Sequence, residues 1–194
     1  MNDTTRLPKK TRNTVAALLA SVLTVSLIPV AQSQLIFRST VTGDVLDFSF
    51  GKKGEETEAV KHFKNTGENL YNSDEEAIQN GESLFMTACS GCHGHHAEGK
   101  LGPALGDDYW TYPKNATDKG LFETIYGGAR SMMGPQYNNL SMNEMLQIMA
   151  WVRSIYWGAP EKADWLTEEQ KANFTPAPVP EDYKEALENF NKTH

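Results

Sequence analysis

Cys89-Ser90-Gly91-Cys92-His93 is the stretch that decides the fold of this chain. Two thiols three positions apart, with an imidazole directly after the second, have the spacing of a c-type haem attachment site. Each sulfur adds to one vinyl group of the porphyrin. The adjacent ring supplies the nitrogen donor that haem iron takes on its proximal side. A C-x-x-C pair also occurs in half of a zinc site, in a redox dithiol and in an ordinary disulfide. A structural zinc site wants four protein ligands, and only His93, His95, His96 and His62 are at hand to complete one. A thioredoxin-like dithiol sits near a βαβ pattern, which is not visible around residues 89–93. The abutting His93 favours covalent haem c, one per chain.

Upstream of the motif the pattern is helical. Ser73-x-x-Glu76 reads as a capping box, with acids in the first turn to match the helix dipole. Ala77, Ile78, Gly81, Leu84, Phe85 and Ala88 form an apolar stripe leading into Cys89. Gly81 inside that helix costs about 1 kcal/mol relative to Ala, which a close crossing by a second helix would explain. The candidate lies downstream, where Ser141-x-x-Glu144 is another capping box. It opens a run of Met145, Leu146, Met149, Val152, Ile155 and Tyr156 at helical spacing. Trp151 adds bulk to pack beside Gly81, and Gly158 and Pro160 are expected to stop the helix. Thr117–Tyr126 predicts a shorter helix ended by Gly127-Gly128.

Gly102-Pro103 follows the motif closely, and a Pro carbonyl there can accept the Nδ1–H of the proximal ring, fixing its orientation. A plain loop proline is the alternative. Met132-Met133-Gly134-Pro135 lies in a Gly-rich loop, with Met133 forty positions after His93. A thioether opposite a histidine stabilises ferrous haem and raises its potential, which suits an electron carrier. Met133 is the favoured distal ligand and Met132 the alternative. His95 and His96 are too close to the attachment site to reach the opposite face, and His62 reads as a surface residue.

The ends of the chain have their own patterns. Arg6, Lys9, Lys10 and Arg12 precede an apolar run from Val15 to Val30, and Ala31-Gln32-Ser33 offers small residues before a cut. This predicts a secretory signal peptide over 1–33; a retained anchor is the alternative, since the run nearly reaches the ~20 residues of a membrane span. Cleavage removes four bases and one acid (Asp3), which moves the net charge from −7 to −10. Ionised haem propionates add about two more negative charges. Nucleic acid is an improbable partner for such a surface, and a basic protein patch a natural one. Residues 34–72 read as a polar arm. Gly43-Asp44 could turn a hairpin there, and Leu46, Phe48 and Phe50 alternate like a half-buried strand. Thr167-x-x-Gln170 predicts a short capped helix, residues 176–180 an extended connector and Glu181–Phe190 a last acidic helix.

Several runs resemble the cytochrome cL family. They are Gly94-His95-His96-Ala97-Glu98-Gly99-Lys100 directly after the motif, Tyr109-Trp110-Thr111-Tyr112-Pro113, Gly120-Leu121-Phe122 and Tyr126-Gly127-Gly128-Ala129. Met133-Gly134-Pro135 and Met149-Ala150-Trp151-Val152-Arg153 match as well, with Thr42-Gly43-Asp44, Lys61-His62-Phe63 and Gly67–Tyr71 in the arm. The likeness thins beyond Pro160. It implies an all-α, class I cytochrome c fold (73–158) with an N-terminal arm (34–72) and a C-terminal extension (159–194). It also implies haem held by Cys89 and Cys92, with His93 proximal and Met133 distal. The implied role is that of a periplasmic electron carrier, not an enzyme. Such a carrier accepts single electrons from a quinone-dependent (PQQ) methanol dehydrogenase and passes them to a second c-type cytochrome. A carrier for a different quinoprotein dehydrogenase and a small peroxidase-like haem enzyme are the alternatives. The latter needs an open distal position, and the sequence offers no acid–base group beside Met133. Should docking prove apolar, Trp110 and Tyr112 are the first candidates for it.

Overall fold

The structure is a computed structural model that describes residues 35–185. The expected signal peptide and the end of the expected last helix lie outside the described residues. Among those residues the regular structure is helical: α1 (Glu58–Thr66), α2 (Glu75–Ala88), α3 (Ser90–His93), α4 (Asp118–Gly127), α5 (Met142–Ser154) and α6 (Glu168–Asn173).

Helices α2 and α5 cross at the centre. The apolar side of α2 buries Ala77, Gly81 and Phe85, and α5 buries Met145, Leu146, Ile148, Met149, Trp151 and Val152. At the crossing a Cβ on Gly81 would lie 2.0 Å from the Gln147 carbonyl oxygen. The glycine is thus where the two backbones touch. Trp151, expected beside it, sits one turn further along and packs on Phe85, with ring centroids 4.3 Å apart. An indole has no room where the backbones meet.

Local signals set most helix ends. Ser141 and Glu144 form both halves of the capping box on α5, and Thr167 and Gln170 do the same for α6. Thr117 caps α4, which ends at Gly128 with φ +79°. Two boundaries differ from expectation. The cap of α2 is Asp74, whose carboxylate accepts from the Ala77 N–H at 3.0 Å, not Ser73. Ser73 is consumed by a 3-10 turn, Leu70–Ser73, that Asn69 pins to α5 through its bond to the Leu146 carbonyl. Helix α5 stops at Ser154, four residues before Gly158. The Trp157 and Gly158 N–H groups turn instead to the Gly106 carbonyl, at 2.7 and 3.2 Å.

The arm contributes to the core. Phe37, Phe48 and Phe63 interlock with Phe122 and Tyr126, with centroid separations of 4.9 to 5.9 Å. Such pairs contribute about 0.5–1.5 kcal/mol each beyond their buried area. The hairpin turn forms at Gly43, φ +78°, but its ladder is one isolated bridge, Arg38–Val45. The strand expected over residues 46–50 does not form. Asp47 accepts from the Ser49 N–H at 2.7 Å, the chain turns, and Phe50 is left 75% exposed. At the other end Trp165 and Phe174 pack on Tyr156, and residues 181–185 are helical.

Beneath the crossing lies a buried ion pair that the sequence did not announce. Arg153 Nε donates to Asp118 at 3.0 Å, its Nη2 donates to the Asn115 carbonyl, and its guanidinium lies over the Trp165 ring at 4.0 Å.

Candidate functional site

The site begins where α2 ends. The Cys89 N–H closes the last turn on Phe85, and the Cys92 and His93 N–H groups both bond the Cys89 carbonyl, at 3.1 and 3.0 Å. This single turn of α3 brings both sulfurs and the imidazole together, because residues three and four apart are neighbours on a helix. Both thiols are free. Cys89 is half-buried against the core, and burial, with Cys92 beside it, pushes its thiol up to about 11.

His93 is only 8% exposed, and its Nδ1 lies 2.8 Å from the Pro103 carbonyl oxygen. A carbonyl only accepts, so Nδ1 carries the proton and Nε2 keeps its lone pair for a metal. Gly102 makes this contact possible, since a Cβ there would lie 2.7 Å from the ring's Cε1. The loop is tied back to the motif: Gly102 N–H bonds the Cys92 carbonyl and Gly99 N–H the His93 carbonyl, both at 2.8 Å.

The loop that carries Met132 and Met133 joins α4 to α5. Met133 packs partly buried against the same core as Cys89, whereas Met132 is 74% exposed. Environment therefore separates two residues that composition could not. Ser131, just before the pair, holds φ +76°, a strained conformation for a side chain larger than glycine. His95 and His96 are exposed on the surface, and His62 on α1 lies 3.4 Å from Glu68.

Trp110, expected as a candidate docking aromatic, is instead buried at 9% exposure, and its Nε1–H has no partner among the described residues. Arg153 Nη1 is a second such donor, and its guanidinium carbon lies 5.4 Å from the Trp110 ring centroid. Buried donors without partners are costly, and Trp157 Nε1 is a third among the described residues. Nothing local in the sequence marks them as buried donors; that emerges only from the packing. Free thiols one helical turn apart and an imidazole with Nε2 unprotonated suit haem c.

A short helical core built on the crossing of α2 and α5, with the Cys89–His93 turn at the end of α2, defines a class I c-type cytochrome. The comparisons agree. Residues 76–152 match the family model described as cytochrome C oxidase, cbb3-type, subunit III. The cytochrome c-L of Methylorubrum extorquens is 60% identical over 146 residues, covering 75% of this chain and 74% of that one. The crystal structure of cytochrome CL from the marine methylotroph Methylophaga aminisulfidivorans MPT matches with 84% identity and TM-score 0.75, over 77% of this chain and 99% of that one. That of cytochrome cL from Hyphomicrobium denitrificans matches with 48% identity and TM-score 0.70, over 83% and 94%. The chain belongs to the cytochrome cL family: it is an electron carrier with covalently bound haem c. Among the described residues, no helix is long and apolar enough to cross a membrane.

Proposed function

We propose that this cytochrome works in the periplasm, taking electrons one at a time from a quinone-dependent methanol dehydrogenase and passing them to a second c-type cytochrome. The observation that carries the electron-transfer reading is the His93–Pro103 contact of 2.8 Å, which leaves Nε2 free to ligate. The partner and the compartment rest on the family and on the export pattern of the sequence.

When bound, haem c supplies a one-electron iron couple. In this reading Cys89 and Cys92 would hold it as thioethers. His93 would supply Nε2 as one iron donor, oriented and made more basic by the Pro103 carbonyl. Met133 would supply a thioether as the other, which would favour the ferrous state. The core under Cys89 and Met133 is apolar and aromatic, so it keeps water from that side.

Acidified organic solvent should fail to extract the haem from the wild type, while Cys92→Ser should weaken its retention. Ready extraction from the wild type would defeat the covalent assignment. The ferric protein should show the weak far-red absorption of a methionine–iron bond, and Met133→Ala should abolish it. If only Met132→Ala does so, the other sulfur is the ligand.

The partner is tested by stopped-flow reduction with methanol dehydrogenase over a salt series. An acidic carrier steered to a basic patch should react more slowly as salt rises, since charges are screened within about 8 Å near physiological ionic strength. The transfer step inside the complex should change little. A second-order rate indifferent to salt would mean apolar docking. Tyr109, 68% exposed, would then be the residue to mutate in place of buried Trp110.

A further inference from the structure

We infer that residues 47–54 of the N-terminal arm are a brace for the distal-ligand loop, with Lys52 as its positioning residue. The inference rests on the reading of Met133 as the sixth ligand.

The loop between α4 and α5 carries Met133 and contains the strained Ser131. A strained backbone persists only where its surroundings hold it. Within the loop the Ala129 N–H bonds the Met133 carbonyl at 2.9 Å and the Asn139 and Leu140 N–H groups bond the Gln136 carbonyl, while the Gln136 N–H ties back to Ile125 of α4 at 3.1 Å and the Arg130 N–H to the Tyr112 hydroxyl at 3.0 Å. The arm adds a tie to the second half of the loop: the Lys52 N–H bonds the Tyr137 carbonyl at 2.6 Å. Beyond that carbonyl, the Lys52 ammonium reaches both oxygens of Glu144, at 3.0 and 2.9 Å, in the first turn of α5. Lys52 therefore spans from the loop to the helix that follows it.

The arm is itself anchored on the other side of the loop. Tyr126, at the end of α4, donates its hydroxyl to the Asp47 carbonyl at 2.8 Å, and its ring lies 5.4 Å from that of Tyr137. Glycines let the brace lie close. A Cβ at Gly51 would come within 2.9 Å of the Tyr126 hydroxyl, and one at Gly54 within 2.4 Å of the Ser141 Cβ. Segment 47–54 thus bridges the last turn of α4, the loop and the first turn of α5. Loosening it raises the population in which the loop lifts and Met133 leaves its place.

An external ligand reports that population, because imidazole binds ferric haem only when the sixth position opens. Imidazole is titrated into the full haem-loaded protein, with loss of the far-red methionine–iron band as the readout. Lys52→Met should raise the apparent affinity for imidazole about threefold, the scale of a partly exposed ion pair. Tyr126→Phe should raise it about fivefold, the scale of one net hydrogen bond. The double variant should reach about fifteenfold if the two act independently. Lys52→Arg should restore the wild-type value. Lys61→Met, which removes an exposed pair with Glu58 elsewhere on the arm, should leave it unchanged. If the double variant unfolds more easily yet binds imidazole as the wild type does, the arm only stabilises the domain and the brace is overturned. If the wild type lacks the band, or keeps it in Met133→Ala, the ligand assignment falls and the brace with it.

Discussion

Asp118→Ala is expected to lower the stability of the haem-loaded protein by about 3–5 kcal/mol, the usual cost of leaving a buried charge without its partner. Arg153 is 3% exposed and Asp118 is 5% exposed, so no water is at hand to replace the lost carboxylate. The substitution also strands other donors. Asp118 accepts from the Asn69 N–H at 3.2 Å and from Asn72 Nδ2 at 2.7 Å, which ties the approach to α2 to the start of α4. Arg153→Met should cost less, because the Asp118 carboxylate it leaves behind keeps the Asn69 N–H and Asn72 Nδ2 as donors. The double variant Asp118→Leu with Arg153→Met should be less damaged than Asp118→Ala alone, since an apolar replacement of both partners removes the desolvation cost as well. Denaturant unfolding of Asp118→Leu, Arg153→Met and their double variant closes the double-mutant cycle, with Asp118→Ala measured beside them. A loss below about 1 kcal/mol for Asp118→Ala would mean that the pair contributes little.

Gly81→Ala has the sign that propensity alone would get wrong. In an exposed helix interior the change stabilises by about 1 kcal/mol. Here the new methyl would sit 2.0 Å from the Gln147 carbonyl oxygen and 2.5 Å from its carbon, both backbone atoms of the crossing helix. Neither helix can give way alone, because Phe85 and Trp151 lock the next turn. The net result is expected to be a loss on the scale of overpacking, about 1–3 kcal/mol, and Gly81→Leu should lose more than Gly81→Ala. Thermal unfolding decides it. A more stable Gly81→Ala protein would show that the two helices stand further apart than this geometry has them.

The sequence by itself determined what is written in neighbours a few residues apart. Cys89, Cys92 and His93 fall together because one helical turn joins them. Ser141 with Glu144 and Thr167 with Gln170 cap their helices because each box closes over three residues. Gly81 declared a crossing because nothing else justifies a glycine on an apolar stripe. Tertiary structure decided what depends on which distant segments meet. Asp74 displaced Ser73 as a cap because Asn69 is bonded to Leu146, far along the chain. Met133 and Met132 are chemically identical and were separated only by which one the core receives. Phe50 kept the alternation of a strand and lost its place to a turn at Asp47. Arg153 and Asp118 stand 35 positions apart, and neither carries a local mark of the other. Helix periodicity and capping are short-range, so they survive in the sequence. Burial and ion pairing are long-range, and they exist only once the chain has closed on itself.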